Sequence, residues 1–167
     1  MSDTTKVVPS FHQMVGFHFL VTFEKLPNAG NLDVSFQSVS GLDVQMDTET
    51  WKEGGENRFE HTLPSRSKFS STLTLKRGLL KPGQSGLSNW CINSFVHLKI
   101  VPLETVNVQL LDENHNALLV WNLAHVWPKS WKIAEFNAER SEVLIETLEL
   151  NFNRFSLQNA NSNANRN

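Results

Sequence analysis

The chain has 167 residues, of which 40% are apolar and 19% charged, and its formal net charge is −2. That length supports one domain able to bury roughly 70% of its unfolded surface, and the balanced charge excludes the strongly basic footprint of a nucleic-acid binder. No apolar run approaches the ~20 residues of a membrane-spanning helix, MSDTTKVVPS lacks the basic head and apolar stretch of a secretory leader, and the single cysteine, Cys91, excludes an internal disulfide framework.

These features fit a cytosolic, single-domain globular protein. Eleven Phe and five Trp stand beside no Tyr at all. Aromatic and β-branched residues favour the half-buried surface of a sheet, and the many Asn and Gly supply turns.

Residues 1–15 read as a polar N-terminal arm. From Gly16 to Lys25 the pattern turns sharply period-2, with Phe17, Phe19, Val21 and Phe23 on one face and His18, Thr22 and Glu24 on the other, which predicts a strand. Leu26 to Asn31 is a loop by its Pro, Asn and Gly content. A second extended stretch is expected from about Asp33 to Asp47, with a bulge near Ser40-Gly41. Beyond the bulge Leu42, Val44 and Met46 should point into the core, alternating with Asp43, Gln45 and Asp47.

Residues 48–68 are polar, with Gly54-Gly55 in the middle, and read either as a hairpin tip or as a long loop. The next segment, FSSTLTLKRGLL, places Phe69, Ser71, Leu73 and Leu75 on one strand face and ends in Lys76-Arg77-Gly78. One helix is expected over about 88–98, with Ser88 as its N-cap and Leu87, Trp90, Cys91, Phe95 and Leu98 at helical spacing. Val101-Pro102 closes that segment.

Strands over about Thr105–Leu111 and Ala117–Trp127 flank the turn Asp112 to Asn116, and Pro128 is expected to end the second. SEVLIETLELNF, residues 141–152, allows a helix through Val143, Leu144, Thr147 and Leu148. The alternation of Leu148, Leu150 and Phe152 with Glu149, Asn151 and Asn153 favours a strand, which is the reading taken. The closing QNANSNANRN is low-complexity and should be disordered.

Chemistry is sparse. The six histidines, at 12, 18, 61, 97, 115 and 125, show no zinc-site spacing. Cys91 lies on the apolar helix face, more a small buried hydrophobe than a nucleophile. No nucleophile elbow, phosphate loop or dinucleotide fingerprint occurs. Gly83-Gln84-Ser85-Gly86 before the helix lacks the ending of a phosphate loop, and Glu146 and Glu149 read as a wet strand face. Trp121, Trp127 and Trp131 suit core packing, with the sugar-stacking platforms of a carbohydrate-binding β-sandwich as the alternative. A small hydrolase whose site is invisible in one sequence is a further rival. No metal or cofactor is implied.

Three stretches carry a resemblance. SVSGLDVQMDTETWKEGGENRFEHTLPSRSKFSSTLTLKRGL, then LSNW, then VQLLDENHNALLVWNLAHVWPKSW followed by SEVLIETLELNF, together resemble the inner-tube proteins of contractile-tailed phages and contractile injection systems. They are also similar to the haemolysin-coregulated protein of type VI secretion. The likeness covers roughly residues 16–155, which sets a tube-protein domain at 16–156 and leaves 157–167 as an Asn-rich tail. His115 stands where the family usually has Gly, and the N-terminal TTKVVPSFHQMV is not a family signature.

The resemblance implies a mainly β protein: an antiparallel β-sandwich or barrel with one short flanking helix, assembling into a ring-closed β-barrel. It implies a non-enzymatic subunit whose hexameric rings stack into a hollow tube. The implied partners are further copies of itself, a sheath protein, baseplate, spike and cap proteins, and protein cargo in the lumen. A tube-initiating or cap-proximal paralogue is the alternative role. Residues 47–60 carry five carboxylates against Lys52 and Arg58, a net −3, while Lys76, Arg77 and Lys81 supply +3. Trp51, Glu53, Gly54, Gly55 and Glu56, which resemble the family's ring-attachment loop, are therefore expected to meet Lys76, Arg77 and Lys81 of the next ring. Asp43, Gln45 and Asp47 are the lumen candidates.

Overall fold

The computed structural model of the chain describes residues 18–30, 35–55, 58–81, 84–136 and 143–159. Nine strands and one helix follow in the order β1 (Phe19–Phe23), β2 (Ser38–Ser40), β3 (Val44–Trp51), β4 (His61–Phe69), β5 (Thr72–Gly78), α1 (Gly86–Phe95), β6 (Leu103–Leu111), β7 (Ala117–Ile133), β8 (Ile145–Asn151) and β9 (Arg154–Asn159). All pairings are antiparallel. The larger sheet runs β1-β6-β7-β8-β5-β2, with β9 added to β7, and β3 and β4 form a separate two-stranded sheet.

The long β7 organises the fold by changing partners. Its first part pairs with β6 on one side and β9 on the other, and from Trp127 onward it pairs with β8. Pro128, expected to end this strand, sits inside it at a register shift between Pro128 and Ser130. Here β8 is the single neighbour, so the missing N–H costs no ladder bond on the open side.

The two ends of the sheet approach each other through side chains. The Phe23 ring on β1 lies 6.2 Å from the Phe36 ring just before β2, and Phe19 and Val39 line one small cavity. β1 and β2 are the two end strands and are not paired with each other. The sheet folds back on itself without closing, so of the expected antiparallel sandwich or barrel the mainly β, antiparallel build holds and the closed barrel does not form in the subunit.

Between its halves lie Val21, Leu73, Leu75, Val106, Leu123, Val126 and Leu150, all without exposed surface. Each such side chain contributes about 1.5–3 kcal/mol by leaving water. The strand reading of residues 141–152 holds for Ile145–Asn151, whose Leu148 and Leu150 alternate inward.

α1 covers one end of this core with Leu87, Trp90 and Cys91. It begins two residues before the expected start because Ser85, not Ser88, is the N-cap: the Ser85 hydroxyl accepts from the Ser88 N–H at 3.0 Å. It also stops sooner, and Leu98, placed on its apolar face by sequence, is 82% exposed at φ +52.

The expected bulge at Ser40-Gly41 is a transfer between sheets. Gly41 takes φ +98 with its Cα against the Thr72 carbonyl, a position open to glycine. At the β6–β7 turn His115 has φ +63, which explains why glycine suits this place in related turns. β9 carries the chain in register to Asn159, opposite Leu119, so residues 157–159 belong to the sheet and not to a disordered tail. Residues 1–17, covering the expected arm, and the remaining 160–167 lie outside the described residues.

Candidate assembly surface

Residues 48–68 resolve as most of a β-hairpin arm. β3 and β4 pair from Val44↔Phe69 to Trp51↔His61, with a register shift between Met46 and Thr48, and the Ser70 N–H donating to the Asp43 carbonyl at 2.8 Å closes the base. Every residue of β3 is exposed. Val44, Met46, Trp51, Phe59 and Leu63 all stand about half in water, Trp51 at 53%. An isolated two-stranded hairpin is marginally stable alone, and its outer edges offer unpaired backbone groups.

Some polar groups of the arm pair within it. Lys52 pairs with Glu60 at 2.6 Å, the His61 ring lies 3.6 Å from the Glu53 carboxylate, and the Ser65 hydroxyl donates to Glu49 at 2.6 Å. Beside these pairs stands the row of exposed apolar side chains. Contiguous exposed apolar surface of this kind marks an interaction site.

The structure places Trp51, Glu53, Gly54 and Gly55 together at the arm's tip, while Glu56 lies outside the described residues. Asp43, Gln45 and Asp47 are exposed, but Val44 and Met46 are exposed as well and do not enter the core. Leu42 alone of the expected inward residues packs against it. The arm has left the sheet, so alternation no longer separates core from solvent, and the bulge at Asp47 breaks the alternation itself.

Arg77 corrects the sequence reading most sharply. Expected at a subunit boundary with Lys76 and Lys81, it is 4% exposed. Its Nε donates to Glu146 Oε1, and its Nη2 donates to Ser85 Oγ at 2.8 Å and Ser88 Oγ at 3.2 Å. The guanidinium carbon also lies 5.6 Å from the Phe36 ring centroid.

Trp131 Nε1 donates to the other Glu146 oxygen at 2.9 Å, so the pair joins β5, β7, β8 and the start of α1. Glu146, taken as part of a wet face, is 3% exposed. The period-2 pattern puts Arg77 on the face of Leu73 and Leu75, but it does not show the carboxylate across β8 that lets a guanidinium be buried there. Lys76 and Lys81 remain exposed.

Gly78 continues β5 in register with β8. It pairs with Ile145, and Leu79 donates onward to the Leu144 carbonyl at 2.7 Å. Trp121 and Trp131 pack against the core instead of forming an open platform. Burial first, and then the Glu146 charge, push the Cys91 thiol up to about 12, which makes it unreactive. Among the described residues no three His, Cys, Asp or Glu side chains gather as a metal site.

A folded-back antiparallel sheet, one capping helix and an exposed arm make a mainly β fold, which the family match below identifies as a structural protein of the tail-tube class. The chain belongs to the family of the T4-like virus tail tube protein gp19, whose model matches residues 15–156. A chain in the structure of the anti-feeding prophage (AFP) baseplate is 27% identical, with a TM-score of 0.73, covering 90% of this chain and 98% of that one. A chain in the PVC extracellular contractile injection system, from its sheath/tube terminator in the extended state, is 25% identical with a TM-score of 0.71, covering 89% and 99%. Hcp1 from Salmonella typhimurium shares the fold at 10% identity and a TM-score of 0.51, covering 84% and 85%. No curated protein matches the chain.

Proposed function

We propose that this chain is the repeating subunit of the hollow inner tube of a contractile injection system or phage-tail-like particle. Six copies form a ring, and rings stack into a tube inside a sheath, between a baseplate with its spike at one end and a cap at the other. The lumen conducts or carries protein cargo. The subunit works by assembly, not catalysis, and is assembled in the cytoplasm into a particle that is then released or anchored to an envelope.

The observation that carries this reading is the arm. In a member of the tail-tube family, a hairpin leaves Val44, Met46, Trp51, Phe59 and Leu63 about half exposed among the described residues. Further copies cover these side chains and occupy the strand edges, so the barrel left open in the subunit closes around the ring. Trp51 is the apolar anchor at the tip. Exposed ion pairs contribute only about 0–1 kcal/mol each, so Glu53 and its neighbours set orientation while the indole supplies affinity. Asp43, Gln45 and Asp47 line the lumen, where polar side chains let cargo slide.

Electron microscopy of the purified protein, alone and co-expressed with its sheath, tests the reading. Rings or tubes are expected, and a strictly monomeric species at high concentration, unchanged by partner proteins, would overturn it. Cysteines at 43 and 45 should label differently with a bulky reagent before and after tubes form, and equal, unprotected labelling in both states would overturn the lumen assignment. A second reading, a tube-initiating or cap-proximal paralogue, draws support from the 27% identical chain in a baseplate structure. Copy number per particle separates the two: many rings for the main tube, one or two for the paralogue.

A further inference from the structure

The chain following α1 is a second exposed apolar surface, and its construction differs from that of the arm. Within Phe95 to Val101, five apolar side chains face water: Phe95, Val96, Leu98, Ile100 and Val101. Leu98 is the extreme, 82% exposed and held at φ +52, a left-handed conformation uncommon for a bulky residue. The segment is pinned in place. Trp90 Nε1 donates to the Val101 carbonyl at 2.8 Å, and the Lys99 N–H donates to the Asn93 carbonyl at 2.9 Å. A strained leucine presented to solvent on a fixed loop is a preformed contact surface.

Beside it opens a cavity of about 340 Å³, floored by Pro27, Trp90, Val101 and Leu103 and edged by Lys25 and Lys99. That is at the low end of ligand-pocket volumes, about 300–1,000 Å³, and suits one aromatic side chain. Among the described residues Lys25 pairs with Glu104, and no carboxylate pairs with Lys99. The surface therefore asks for an apolar, aromatic group accompanied by a carboxylate. The arm carries that combination at its tip, Trp51 next to Glu53.

We infer that the loop Phe95–Val101 and its cavity receive the arm of a second copy of this chain, with the Trp51 indole in the cavity and an arm carboxylate at Lys99. This rests on the tube reading and names the receiving surface. The inward turn of Arg77 leaves Lys76 and Lys81 as the exposed cations near the end of β5, and solvated cations supply little affinity. Because arm and loop are different faces of one chain, the contact is head-to-tail and propagates instead of closing on a dimer.

The test mixes two full-length single variants, Trp51→Cys and Leu98→Cys, under mild oxidation. Cys91 is buried and unreactive, so each variant has one available thiol. The expected product is the mixed disulfide, formed several-fold over either homodimer. In parallel, Leu98→Asp relieves the left-handed leucine, since Asp tolerates that conformation. Its free subunit should melt no lower than the parent while tube formation falls at least ten-fold, and Ile100→Asp should act likewise.

Homodimers alone, or normal tubes from Leu98→Asp, would overturn the receiving surface and leave the tube reading standing. A parent protein that forms neither rings nor tubes would overturn the tube reading itself. Normal subunit melting with lost assembly in both the Trp51→Ala and Leu98→Asp variants supports the pairing.

Discussion

Arg77 and Glu146 form the ion pair at the junction of β5, β8 and the first turn of α1, each almost without exposed surface. Ser85 serves twice there, capping the helix through the Ser88 N–H and accepting from the guanidinium. Removing one partner of a buried pair strands the other charge and costs about 3–5 kcal/mol. Arg77→Leu and Glu146→Gln should each lower the urea midpoint of the free subunit strongly, and the double Arg77→Leu/Glu146→Leu variant should recover much of the loss. Arg77→Glu sets two carboxylates together and should unfold the subunit, not merely weaken assembly. Gly41 is the second sensitive position. A Cβ there would lie 2.0 Å from the Thr72 carbonyl oxygen, at φ +98, so Gly41→Ala should cost about 1–3 kcal/mol from backbone strain before the clash is counted. Parent-like melting of that variant would show that β5 can yield to it.

Among the elements, the arm behaves unlike the rest. β5 and β8 alternate buried and half-exposed residues, whereas β3 is exposed throughout. Its strands gain little from burial and rely on ladder bonds and a few pairs such as Lys52–Glu60. In the free subunit the β3 and β4 amides should exchange with solvent far faster than those of β5 or β8, because regions with few buried contacts open locally. Assembly should protect them. Trp51→Ala should change subunit stability by no more than about 0.5 kcal/mol, as is usual for exposed sites away from special features, yet prevent tube elongation. A large fall in subunit melting temperature would place Trp51 in its own core instead.

At the scale of the whole molecule, stability should fall in acid. Glu104 is held below its ordinary value of 4.5 by the hydrogen bond from Lys25. Asp112 is held below 3.8 by Asn116, first through its backbone N–H and then its side chain, with Asn114 adding to both. Glu149 is held below 4.5 by Lys132. Carboxyls lowered by folding contribute stability that is present above their unfolded values and lost as pH falls through their folded ones. The melting temperature should therefore be flat from neutrality to about pH 5 and decline below 4.5, modestly, since all three groups are solvent-screened. The Lys25 partner is raised, so its share is present below its unfolded value of 10.5 and is lost only as pH rises through the folded one. A melting temperature that rises on acidification would contradict these assignments.

Local alternation by itself settles much of the fold. Phe19, Val21 and Phe23, or Leu148, Leu150 and Phe152, read as strand faces because each residue's burial there follows from its neighbours two positions away. The ordered motifs from SGL to ETLEL carry the family for the same reason: side-chain patterns and turn residues are properties of short segments. The glycine pair within a polar stretch is likewise legible, as a hairpin tip or a long loop.

Three things were decided only by tertiary structure. Arg77 went inward because Glu146, distant in sequence, meets it across β5 and β8 with Ser85, Ser88 and Trp131 completing its hydrogen bonds. Val44 and Met46 stayed half in water because the chain at Gly41 leaves the main sheet, so among the described residues the core does not cover a face that alternation would have buried. β7 ran through Pro128 because that stretch has one neighbour strand and no bond to lose. In each case the deciding contact is long-range, and a sequence pattern records a residue's own preference but not what the fold brings against it.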